Sequence, residues 1–331
     1  MNEEEERLDI NDIQTHWQAM AKDRIQLTAV NELFMHILRS HPHMRPLWPF
    51  GRARLDDRTI ETLINNNVFR HHVIQIHAAL QLLVNNVENP KRIVAVMEEI
   101  GSHHFFYDAY EPHLEVVEEG LLHAFQLHQP KDCVYTPEIE RAWVKAFKLI
   151  KTSMRRGMAE QRNKYLSQCV TADEVEEISK MWLKVKEHGL EEAGLSLSGG
   201  ALRAYESLIK QHDLNFPISI DTEAVDFKQF AQDTIEALDI TINSYEAGDN
   251  GFANLPAKLK IYVSKYVSME VCPSLVRKAF MEGLINMLTY VLGEVQMTEH
   301  VQRTWFKIYR VLEQAIIHDI VHFQPNSSWK L

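Results

Sequence analysis

Residues 69–80 read FRHHVIQIHAAL, and residues 93–104 read IVAVMEEIGSHH. In the first stretch Phe69, His72, Val73, Ile76 and Leu80 recur at the three- and four-residue spacing of one helical face, which sets an imidazole inside an apolar stripe. In the second, Ile93, Val96, Met97, Ile100 and His104 share a face, and the imidazole stands at its end, just before the chain turns. Two apolar helical faces, each offering one histidine, are the elements around which the rest of the chain is read.

The same periodicity extends in both directions. A helix is expected around Asn11 to Ala21, with Trp17 on its inner face and Asp9 or Asn11 as its cap. A second is expected from Gln26 to Ser40, ended by His41-Pro42 because proline disfavours helix in the residue before it. A turn-rich piece, Met44 to Gly51, contains Leu47-Trp48-Pro49-Phe50-Gly51. A long third helix is expected from Asp56 to Val87, and the next runs from Asn89-Pro90 to about His104. Pro112 belongs near the first turn of another. The last helix of this half starts near Thr136 and passes Trp143, Phe147 and Ile150 toward Gly157. With only 12 glycines and 11 prolines and little strand-like alternation, the 331 residues read as all-α.

Composition excludes several functions. A net charge of -11 argues against a phosphate-gripping nucleic-acid binder and against docking on anionic membranes. No run of eighteen apolar residues marks a membrane span, and the acidic start, with Glu3 to Glu6 read as a solvated tail, is no secretory signal. Cys133, Cys169 and Cys272 read as free thiols of a reducing compartment, so the expected location is cytoplasmic and the sequon at Asn326 idle.

The second half repeats the first in order. Thr136 to Phe147 resembles Thr298 to Tyr309, with Trp143 answering Trp305, and Phe34 to His41 resembles Tyr205 to His212. Trp17 answers Trp182, Phe69 answers Phe227, and Pro112 answers Pro273. The order suggests a tandem duplication divided at residues 1–160 and 161–331. The counterpart of His72 is then Phe230 and that of His104 lies near Lys265, and no histidine stands between His212 and His300. Lysine rarely ligates iron, because its ammonium must first lose a proton.

Of the 17 histidines, twelve precede residue 151. Two faces with one imidazole each could sandwich a flat apolar cofactor, and a histidine is the usual proximal ligand of haem. Other metal readings fare worse: His71-His72 and His103-His104 are neighbours about 100° apart on a helix, no HExxH pattern is present, and no cysteine is close enough to help. Taken alone, His104 reads as a partly buried histidine satisfied by backbone groups, and His103 is its rival. Arg45 and Arg70 suit carboxylates such as haem propionates, although solvated surface charge is the simpler reading of both. His71 is expected to face solvent, and His77 to lie in the core or at its edge.

In order along the chain stand Trp17, Leu33-Phe34, Ser40-His41-Pro42, Leu47-Trp48-Pro49-Phe50-Gly51, Phe69-x-x-His72, Ile100-Gly101-x-x-His104, Pro112, Ala142-Trp143 and Gly157. Over residues 10 to 157 this resembles a divergent invertebrate, nematode-like globin. The resemblance implies one haem b per chain, with His104 as proximal iron ligand and His72 as distal histidine. It implies Phe34 as the bulky residue on the ligand side, Ile76 beside the gas, Tyr110 after the last pocket helix, and Phe50, Phe69 and Ile100 lining the cofactor. The Gly-x-x-His spacing selects His104 over His103. Trp48 departs from the pattern, because globins place phenylalanine where a ring packs flat on the haem. The second half resembles a globin that has lost its ligand.

The function so implied is reversible binding of oxygen or another diatomic gas, without enzymatic turnover. His72 has three readings: hydrogen bonding to the gas, sixth coordination of the iron, or gating. Sixth coordination would point instead to redox or nitric-oxide chemistry (a dioxygenase-type activity) or to sensing, with the second domain facing a reductase or signalling partner or another copy in an oligomer. A haem-free helical scaffold is the third reading.

Overall fold

The computed structural model describes residues 9–51, 57–212, 225–246, 255, 257–259, 262 and 273–323, and all regular structure among them is helical. The chain divides into two compact units, Met1–Gln161 and Arg162–Leu331.

The first unit contains α1 (Ile10–Lys22), α2 (Gln26–Ser40), two 3-10 turns (Pro42–Leu47 and Pro49–Gly51), α3 (Asp57–Thr62), α4 (Asn67–Asn85), α5 (Pro90–Phe105) and α6 (Glu111–Leu127). It ends within α7 (Pro137–Gln168). Asp9 stands at the cap of α1 but makes no capping bond; its carboxylate pairs with Lys145 Nζ at 3.0 Å instead. The helix expected from Asp56 to Val87 is interrupted. Asn66 takes an extended conformation (φ -81°, ψ 124°), and its Oδ1 accepts from the backbone N–H of Val68 at 2.9 Å and Phe69 at 3.1 Å. Capping α4 satisfies donors that a continuous helix would have used internally, so a short helix and a 3-10 turn (Leu63–Asn65) precede it.

The core is aromatic. Trp17, Phe34, Phe69, Phe125 and Trp143 are almost wholly buried, each stabilising the unit by roughly 1.5–3 kcal/mol through the apolar area removed from water. Their polar edges are satisfied. Trp17 Nε1 donates to Gln81 Oε1 at 3.0 Å, and Trp143 Nε1 donates to His16 Nδ1 at 3.1 Å. Burial pushes His16 down to about 4, so its ring is neutral at pH 7 and can accept that bond.

Two glycines set α5 against α7. A Cβ on Gly101 would lie 2.3 Å from Met154 O, and one on Gly157 would lie 2.0 Å from Glu98 O. Only residues without side chains let the two backbones approach this closely.

The second unit contains α8 (Ala172–His188), α9 (Leu190–His212), α10 (Val225–Glu246), α11 (Pro273–Leu292) and α12 (Glu299–Phe323). Thr171 and Glu174 form a reciprocal capping box at the start of α8, with bonds of 2.9 Å and 3.3 Å. Helices α9 and α11 cross closely at Gly283, whose Cβ would lie 2.5 Å from Leu197 O. Trp182 and Trp305 are buried with ring centroids 5.9 Å apart. Lys265, Cys272, the run Glu3 to Glu6 and the sequon at Asn326 lie outside the described residues.

Candidate functional site

Four segments of the first unit carry the site. α4 presents Phe69, His72 and Ile76; α2 presents Phe34; the corner after α2 presents Trp48 and Phe50; α5 presents Ile100 and His104. Phe34, Phe50 and Phe69 are buried, whereas His72, Ile76, Trp48, Ile100 and His104 are half-buried.

The aromatic residues close around His72. Its ring lies 4.9 Å from that of Phe34, 6.1 Å from that of Trp48 and 6.4 Å from that of Phe50, centroid to centroid. Phe69 meets Phe34 at 5.9 Å and Phe50 at 5.2 Å, both edge to face. Trp48 and Phe50 are nearly parallel, 9° between planes, with centroids 5.9 Å apart.

Trp48 also makes a polar contact that its position in the sequence gives no hint of. Its indole Nε1–H donates to His72 Nε2 at 3.0 Å. Indole nitrogen only donates, so His72 Nε2 holds a lone pair and the ring proton sits on Nδ1. His72 is pushed down to about 4, first by burial and then by the nearby His104, while a hydrogen bond with the Gln75 side chain works the other way. His72 is therefore neutral at pH 7, and it feels the charge state of His104 across the site.

His104 is oriented from its own helix. Its Nδ1 lies 2.8 Å from Ile100 O. A carbonyl only accepts, so Nδ1 carries the proton and the lone pair is on Nε2. Nε2 makes no hydrogen bond among the described residues. Burial lowers the pKa of His104, against the raising effect of that backbone bond, and His103 lowers it further. A neutral imidazole anchored through one nitrogen with the other left open is how proteins orient a histidine toward a metal.

The corner after α5 follows from the same turn. Asp108 takes a left-handed conformation (φ 60°), which aspartate tolerates better than most residues, and Ala109 N donates back to His104 O at 3.2 Å. Tyr110, nearly buried, begins α6, and its N–H donates to His113 Nδ1 at 3.0 Å.

His71, Arg70 and His103 are exposed. Arg45 is tied into the corner, its Nε donating to Leu38 O at 2.7 Å. His77 sits at the core edge, bonded to Gln26 Oε1 at 3.0 Å and packed on Trp17. Among the described residues no helix is long and apolar enough to cross a membrane.

The family model for globins matches residues 31–154, a globin-family stretch inside the first unit that holds His72, His104 and the aromatic rings around His72. The likeness continues at the level of individual proteins. Neuroglobin-1 of Oncorhynchus mykiss is 21% identical over 147 residues, which is 44% of this chain and 88% of that protein.

Proposed function

We propose that the first unit holds one b-type haem, whose iron His104 Nε2 would ligate with His72 as the distal histidine, and that it reversibly binds oxygen or another diatomic gas. The observation that carries this reading is the orientation of His104: Nδ1–H is spent on Ile100 O, and Nε2 is open and unprotonated. The donor chemistry fits, since a neutral imidazole is the usual axial ligand of haem iron. When bound, the haem supplies reversible coordination of a small gas at its iron.

The chain's own residues do the rest. Phe34, Phe50 and Phe69 exclude water from the face that His72 shares. Gly101 and Gly157 fix α5, and with it His104, against α7. His72 has two uses, and both begin by breaking its bond to Trp48. Its Nε2 lone pair can coordinate, or, after the ring proton moves from Nδ1 to Nε2, it can donate a hydrogen bond to a polarised ligand. Trp48 therefore acts as a latch on the distal histidine.

The coordinating use defines a second reading, a six-coordinate globin suited to redox chemistry, nitric oxide or sensing. It is favoured by one observation, the contribution of the nearby His104 to lowering the pKa of His72. The second unit is read as a globin-like repeat without haem that serves as a regulatory or partner surface. In support, Trp17 bonds Gln81 twelve positions after Phe69, and Trp182 bonds Asp239 twelve positions after Phe227, at 3.0 Å and 2.7 Å. Phe230, the counterpart of His72 in the sequence repeat, is buried and apolar. The free thiols of Cys133 and Cys169 suit the cytoplasm.

The test is the visible spectrum of the haem-reconstituted chain, ferric and ferrous, beside His72→Ala. A five-coordinate ferrous spectrum with reversible oxygen uptake supports gas binding. Sharp, split visible bands that collapse in His72→Ala support the six-coordinate reading. Absence of a Soret band sinks both and leaves a helical scaffold.

A further inference from the structure

Helix α2 has a second chemical face. His36 lies two positions beyond Phe34, about 200° around the helix, and so looks away from the rings that surround His72. That side of α2 crosses α6. The crossing is tight, since a Cβ on Gly120 would lie 2.8 Å from Leu33 Cδ1 and 3.3 Å from Leu33 O. Beside Gly120, Glu119 and His123 are four residues apart and share a face of α6. Opposite them stand His36 and His41. The latter is the cap of α2, where the backbone leaves the helix (φ -129°, ψ 66°) and brings its ring back beside His36.

Three elements of this cluster converge. His36 Nε2 and His41 Nε2 each lie 3.7 Å from the same oxygen, Glu119 Oε1. One donor atom from each of the three residues falls within 4.8 Å of the other two. A separation of 3.7 Å is too long for a hydrogen bond, whereas two donors bound to one tetrahedral ion at about 2.1 Å stand about 3.4 Å apart. His36 Nε2 is buried and has no hydrogen-bond partner. The ring of His123 stacks on that of His36 with centroids 4.2 Å apart, which holds the His36 imidazole in place. Burial, acting first, and the neighbouring His123 keep His36 toward its neutral form, the form that ligates.

We propose that His36, His41 and Glu119 form a binding site for a divalent transition metal, zinc above all, at the crossing of α2 and α6. Two imidazoles and a carboxylate are a ligand set that zinc accepts, and three protein ligands leave one position for water. Binding would clamp α2 to α6. The proposal stands apart from the haem reading, because none of the three residues belongs to the His72–His104 site.

The full-length chain, haem-free and haem-loaded, would be titrated with zinc chloride by calorimetry, and with cobalt(II) in the haem-free form, where a tetrahedral site absorbs in the visible. One equivalent should bind whether or not haem is present, and the melting temperature should rise with zinc. Glu119→Gln and His36→Gln should each weaken binding by tenfold or more and remove the zinc-dependent shift, and His123→Phe, which keeps the stacked ring, should stay within a few-fold of wild type. Glu119 is an exposed side chain, so Glu119→Gln folds even if His36→Gln does not. Failure to bind zinc, or unchanged affinity and unchanged cobalt absorption in Glu119→Gln, would overturn the proposal.

Discussion

Each unit buries a tryptophan from its first helix against one from its last, with ring centroids 6.1 Å apart for Trp17 and Trp143 and 5.9 Å for Trp182 and Trp305. The polar edges of these pairs differ. Trp143 donates to a buried neutral histidine, His16, while Trp305 Nε1 is buried without a hydrogen-bond partner. The larger difference lies one helix face away. In the first unit His72, whose pKa the nearby His104 helps to lower, stands among phenylalanines; in the second, Phe230 packs edge to face on Phe280. An aromatic cluster inside a helical unit can thus be built with or without an imidazole among its rings. An apolar ring needs no polar partner, whereas a buried imidazole left without one carries a desolvation cost.

The largest expected effect distinguishes the two units at this point. His104→Ala should reduce bound haem from one per chain to nearly none, read from the Soret absorbance of the purified protein. Phe230→Ala should leave haem content unchanged, because its effect falls on packing in the other unit. Haem loss on Phe230→Ala with retention on His104→Ala would reverse the assignment.

Next come the glycine crossings. Gly101→Ala and Gly157→Ala drive a methyl group into backbone oxygen and should cost about 1–3 kcal/mol each in denaturant unfolding, or more if the helices cannot part. Gly283→Ala should do the same in the second unit without touching haem retention, whereas Gly101→Ala should also speed haem loss.

Acid should weaken the first unit through His16. Its folded pKa of about 4 lies below the value of 6.5 expected when unfolded, so the unfolded chain binds the extra proton first. Stability is fully present above pH 6.5 and falls as pH drops from there toward 4, by on the order of 2–3 kcal/mol. His16→Gln, which keeps an acceptor for Trp143 but does not titrate, should flatten that slope when urea midpoints are measured against pH.

Trp48→Phe is the gentlest change. It keeps an aromatic ring and removes one donor, costing about 1 kcal/mol. Its informative readout is spectroscopic: with His72 Nε2 released, the haem-loaded protein should shift toward six-coordination. An unchanged spectrum would show that Trp48 exerts no control over His72.

Much of this frame is readable from the order of residues. Apolar spacing locates α2 and α5 to within a residue, because Pro42 and Pro90 punctuate them and the buried faces are wide. The break before α4 is less legible, since Asn66 looks like any polar residue until its side chain is seen to cap two backbone donors. The Trp48–His72 bond is invisible to periodicity, because it depends on which way an indole nitrogen points in a non-helical corner. The His36, His41 and Glu119 cluster escapes for a different reason. Ligand-spacing rules look within one helix, and this cluster draws on two helices brought together by Gly120. Gly101 shows the opposite case: a glycine three residues before His104 looks like a family habit in the sequence, and the contact with Met154 O gives its physical cause.

The decisive measurement is a haem titration of the full chain followed by Soret absorbance. A break at one equivalent, abolished by His104→Ala, is the predicted result. A break at two equivalents, or none at all, would contradict the division of labour between the two units.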